Sequence, residues 1–99
     1  MSSVAARVVE TSFSETAYFS VHARTEPGVM PRVLELFAKR GLVPSGWHSS
    51  VAEADPARLT IEIKMSGLGR EITDYIAACM RQIASVEAVL TCSQGHSAD

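Results

Sequence analysis

At Thr25-Glu26-Pro27-Gly28 the hydrophobic period of the chain switches from that of a strand to that of a helix. That switch excludes an all-helical or an all-strand fold. Before it, Ala17 to Arg24 alternates, with Phe19, Val21 and Ala23 on one face and Tyr18, Ser20, His22 and Arg24 on the other. Period two over such a run predicts a half-buried strand. After it, Val29, Met30, Val33, Leu34, Phe37 and Ala38 form one helical stripe, with Arg32, Glu35 and Lys39 on the wet side. Pro27 suits a helix start, and Pro31 is tolerable because the helix has barely begun. Lys39 and Arg40 suit the negative end of the helix dipole, and Gly41 fits the left-handed position just beyond it.

The same logic divides the rest of the chain. Residues 45–53 alternate weakly, with Trp47, Ser49 and Val51 as the inward set, and Ala54-Asp55-Pro56-Ala57 is turn chemistry. Leu59, Ile61, Ile63 and Met65 alternate with Thr60, Glu62 and Lys64, a strand. Ile72, Tyr75, Ile76, Cys79, Met80 and Ile83 predict the apolar stripe of a second helix. A last strand covers about 86–92, with Val86, Ala88 and Leu90 opposing Glu87, Val89 and Thr91.

The order is β-α-β-β-α-β, and each element has one apolar side. The expected packing is an α+β, ferredoxin-like fold: two helices on one face of a four-stranded antiparallel sheet. The other face would carry Ser20, His22, Arg24, Thr60, Glu62, Lys64, Glu87 and Thr91, and so meet water or a wet interface. Residues 1–15 read as a flexible segment, 16–93 as one domain and 94–99 as a flexible tail. Val8 and Val9 are an apolar pair suited to extending a strand or covering an edge.

Composition narrows the function. The chain has 99 residues, enough for one domain, and 46% hydrophobic residues, enough for a core. A formal net charge of -2 gives no nucleic-acid or anionic-membrane footprint. Cys79 and Cys92 form no CxxC pair, so no cofactor or metal is expected and a cytoplasmic setting with reduced thiols is. No signal peptide and no window of ~18 apolar residues is visible. His22 and His48 lack a third metal ligand at useful spacing. Residues 59–65 lack the glycine-aromatic run of the RNA-binding fold of similar topology. The loop at 25–28 carries an acid where an acylphosphatase needs a phosphate-binding arginine, and no nucleophile–base pair can be argued from spacing. Cys79, on the apolar stripe, is expected to be a buried, inert thiol. The expectation is a binding or regulatory domain and not an enzyme.

A strand running into Glu26-Pro27-Gly28-Val29, a helix, and then Lys39-Arg40-Gly41-Leu42 resembles the ACT domain family. The wider run from Phe19-Ser-Val-His-Ala-Arg24 through Thr60-Ile-Glu-Ile63 to Val89-Leu-Thr-Cys-Ser93 is similar to the short small subunits of acetohydroxyacid synthase. The resemblance implies a homodimer that binds a small amino acid or activates a large subunit of the branched-chain amino-acid pathway. The thiamine diphosphate and FAD of that reaction would belong to the large subunit. It also implies a ligand site at Glu26, Pro27, Gly28 and Val29, where helix-start N–H groups can hold a carboxylate and Gly28 permits close approach. A plain helix-entry turn explains the same residues, and both readings stand at this point.

The stretch after the Arg-Gly pair usually carries an asparagine at the position of Val43 in valine-responsive small subunits. Val43 offers neither donor nor acceptor, and Pro44 removes the next N–H. The resemblance therefore implies activation without valine recognition at that place. A free-standing amino-acid sensor acting on another partner is the alternative. The serine-rich strand at 45–53 is expected at a sheet edge, where Trp47 would suit a dimer interface.

Overall fold

Strict alternation through Leu59, Ile61, Ile63 and Met65 places these four side chains on one face of a strand, and all four are buried. The computed structural model describes residues 15–95. Its elements are β1 (Glu15–Arg24), α1 (Val29–Ala38), β2 (Gly46–Val51), β3 (Arg58–Ser66), α2 (Arg70–Arg81) and β4 (Val86–Gly95). The strands form one antiparallel sheet in the order β2-β3-β1-β4, the ferredoxin-like arrangement expected. Positions 1–14, including Val8 and Val9, and 96–99 lie outside the described residues. β1 and β4 reach slightly further than expected: Glu15 pairs with Gly95 and Thr16 with Gln94.

The core lies between the sheet and the helices. Ala17, Phe19, Val21 and Ala23 of β1 face Val29, Val33 and Phe37 of α1 and Ile76, Ala77 and Met80 of α2. Phe19 and Phe37 meet edge to face, with centroids 5.6 Å apart and planes at 83°. Each such buried aromatic contributes about 1.5–3 kcal/mol by leaving water, and the pair geometry adds to it. α1 ends as its sequence predicts. Gly41 adopts φ +71°, Gly41 N–H donates to Ala38 O, and Leu42 N–H donates to Phe37 O. This is a Schellman closure with Leu42 folded back onto the core.

Three expected faces are corrected. In β4 the pairing shifts between His22 and Ala23, so that His22 faces Ala88 while Ala23 faces Val86 and Glu87 is the extra residue of a bulge. An inserted residue moves every later side chain to the opposite face. Val86 and Val89 are therefore the buried pair, and Leu90 is 61% exposed on the outer face rather than inside. Thr91 pairs with inward-facing Phe19, so it leaves the outer set, where Leu90 and Cys92 stand instead.

In α2 the buried residues are Thr73, Ile76, Ala77 and Met80, while Ile72 and Tyr75 are exposed and Cys79 is half-buried. Ala77 lets the helix sit close to the sheet. Thr73 can be buried because its hydroxyl donates to Gly69 O at 2.9 Å. In β2, Trp47 and Ser49 face inward as expected, but Val51 remains 47% exposed at the sheet margin.

Candidate functional site

The turn from β1 into α1 is fixed from two directions. Thr25 N–H donates to Ala57 O of the β2–β3 turn, and Arg24 N–H donates to Ser85 O of the α2–β4 turn, each at 2.9 Å. Ser85 is buried, and its hydroxyl also donates to one Glu26 carboxylate oxygen. The other oxygen accepts from Arg24 Nε at 3.3 Å. Arg32, one helical turn past Gly28, lies over it: a Cβ on Gly28 would meet Arg32 Nη1 at 3.1 Å. The Ser85 hydroxyl and then the Arg24 hydrogen bond hold the Glu26 carboxyl below its ordinary 4.5; burial opposes them, and the charges of Arg24 and Arg32 add weaker support.

Glu26, Pro27 and Gly28 thus sit together at the surface of this turn, as their sequence requires. Val29 does not: its side chain is fully buried, and only its backbone borders the turn. Its N–H donates back to Glu26 O at 3.1 Å. Pro31 has no N–H at all, so this helix start offers fewer free donors than most. The positive character comes instead from the guanidinium groups of Arg24 and Arg32. A carboxylate arriving at Gly28 would compete with Glu26 for them. Gly28 itself has φ -81°, a conformation open to any residue, so what its missing side chain makes room for is Arg32.

Val43 lies elsewhere. It is 83% exposed in the loop after α1, at the opposite end of a ten-residue helix, which spans about 15 Å. One chain does not bring Val43 beside Glu26 and Gly28. In sequence Arg32 belongs only to the wet side of α1; its i, i+4 spacing from Gly28 is the signal that brings it to this turn. Ser85 carries no such signal, because no local pattern links it to Glu26.

His22 and His48 stand on the outer sheet face. Ser20 Oγ lies 3.2 Å from His22 Nε2 and donates to Glu62 at 3.3 Å, and His48 is the cross-strand partner of Glu62. Among the described residues, no three His, Cys, Asp or Glu groups converge in a metal-holding arrangement, and no helix is long and apolar enough to cross a membrane.

Comparison with known proteins agrees with this architecture. No curated protein matches the chain. The solution structure of the C-terminal domain of the MgtC protein from Mycobacterium tuberculosis superposes with a TM-score of 0.66 at 15% identity, covering 89% of this chain and 96% of that one. An uncharacterised protein from Thermotoga maritima superposes with a TM-score of 0.60 at 8% identity, covering 83% and 96%. At such identities the likeness concerns the fold alone. The ACT-like domain family matches residues 11–98, nearly the whole chain. With its β-α-β-β-α-β order and its glutamate-proline-glycine helix entry, this chain belongs to the ACT-like domain family.

Proposed function

We propose that this ACT-like domain is a non-catalytic regulatory subunit, which pairs with a second copy of itself and activates the large subunit of acetohydroxyacid synthase. The family supports a regulatory or binding role. The run of residues from Phe19 to Ser93 described above suggests the partner. The observation that carries an assembling role is the β2 edge. Among the described residues Gly46-Trp47-His48-Ser49-Ser50-Val51 pairs only with β3, and it has no lysine, proline or bulge along it. Edge strands without such devices pair readily with another strand. Trp47, half-buried against the core, would anchor that contact.

The test is to recover the tagged protein from its native extract and identify the co-purifying chains. A thiamine-dependent acetohydroxyacid synthase large subunit is expected. A self-dimer without it would replace this reading with a free-standing amino-acid sensor. A monomer by light scattering at micromolar concentration would remove the dimer. Val43 adds a further expectation, that activation proceeds without valine. Saturable valine binding that disappears on changing Gly28 would overturn it.

A further inference from the structure

The rotation of α2 that buries Thr73 and Ala77 leaves Tyr75 and Cys79 along its seam with α1, and a cleft opens there. It measures about 220 Å³ and is lined by Leu36, Lys39 and Arg40 of α1 and its C-terminal turn, and by Tyr75, Ile76 and Cys79 of α2. Its apolar surface comes from half-buried Leu36 and exposed Tyr75, with Ile76 closing the cleft from beneath at 1% exposure. Its rim carries two cations and no acid. Arg40 is held in place, its guanidinium carbon 4.5 Å from the centre of the Tyr75 ring.

Neither cation is paired with a carboxylate among the described residues. The one salt bridge there joins Arg24 to Glu26, so neither Lys39 nor Arg40 has a carboxylate within 4.0 Å. Nor are they spent on capping α1. Phe37 O already accepts from the N–H groups of Arg40 and Leu42, and Ala38 O accepts from that of Gly41. Two cations beside an apolar wall complement a small carboxylate with a hydrocarbon body, the carboxylate on Arg40 and Lys39 and the body against Leu36 and Tyr75. The absence of an acid in the lining disfavours an amino acid, whose ammonium group would face only like charge.

We propose that this cleft is a binding site for a small apolar monocarboxylate, separate from the Glu26–Gly28 turn at the other end of α1. It stands whichever partner the subunit has.

Cys79 supplies the readout. In a Cys92→Ser background, which removes the exposed thiol, iodoacetamide labels Cys79 alone. The probes are isovalerate and 3-phenylpropionate, with isovaleramide and valine as controls. At about 10 mM probe and a millimolar Kd, occupancy slows labelling by roughly tenfold. Protection by at least one carboxylate, little by amide or valine, its loss in Arg40→Gln and its partial return in Arg40→Lys are expected. Arg40 lies at the surface, so these variants fold, and an unchanged melting temperature without probe checks it. Absence of protection, or equal protection by isovalerate and isovaleramide, would overturn the site. Shielding of Cys79 only by a co-purified partner chain would overturn the small-ligand assignment and make this face a protein interface.

Discussion

The Glu26 carboxylate accepts a hydrogen bond from the Ser85 hydroxyl, joining two turns that lie 59 residues apart in sequence. Ser85 also receives the Arg24 N–H on its backbone oxygen. The entry to α1 and the entry to β4 are thereby one unit. A ligand that took Glu26 away from Ser85 would remove a hydrogen bond from the α2–β4 turn as well.

This contact makes stability depend on pH with a definite sign. Glu26 titrates below its ordinary 4.5, chiefly because of Ser85 and Arg24. A carboxylate with a lowered folded pKa contributes stability that is complete above the unfolded value and lost as pH falls through the folded one. Wild type should be more stable than Glu26→Gln at neutral pH, and the gap should close as pH drops below 4.5. Urea denaturation across that range measures it. A gap that widens in acid would contradict the assignment.

The two glycines flanking α1 should respond unequally to alanine. Gly41 has φ +71°, where a Cβ costs about 1–2 kcal/mol, and a domain this size loses roughly 4–8 °C per kcal/mol. Gly28 has φ -81°, and the obstacle to a Cβ is the flexible end of Arg32. Gly28→Ala should cost less than about 1 kcal/mol. Thermal melts of the two variants settle the order.

The β4 bulge predicts which neighbour matters. Val89 is 4% exposed and Leu90 61%. Val89→Ala should cost about 1.5–3 kcal/mol from lost burial and the cavity left behind. Leu90→Ala should stay within about 0.5 kcal/mol. Equilibrium unfolding that reversed this order would restore unbroken alternation in β4.

On α2 the same comparison tests the rotated face. Ile76→Ala removes a core side chain and should cost about 2–5 kcal/mol. Tyr75→Leu loses chiefly the stacking of Arg40, about 0.5–1 kcal/mol at an exposed site. Equal losses in a urea titration would mean that Tyr75 lies in the core.

Period alone carried most of the fold. β1 and β3 alternate along their length. α1 buries Val29, Val33 and Phe37 of its stripe and stops at Gly41, while Leu34 and Ala38 of that stripe face water. The faces differ from the periodic expectation where residue identity and position disagree. Hydrophobicity ranks Ile72 and Tyr75 above Thr73 and Ala77, yet closeness to the sheet favours the smaller pair, and Gly69 O satisfies the threonine. Within β4, no residue type announces that Glu87 is supernumerary, since the bulge is set by how β1 and β4 pair. Nor can Ser85 be recognised as the Glu26 partner before the turns are folded together. The turn at Glu26-Pro27-Gly28 was legible as a place, but not as a carboxylate already satisfied by its own chain.

Glu15 and Gly95 are paired residues, so the outer ends of β1 and β4 stand side by side. A linker of a few residues could close them into a circle, with new termini cut at the exposed turn around Asp55. By the same geometry, the whole fold can be spliced into a surface loop of a host protein, entering and leaving at one point without prising the host apart.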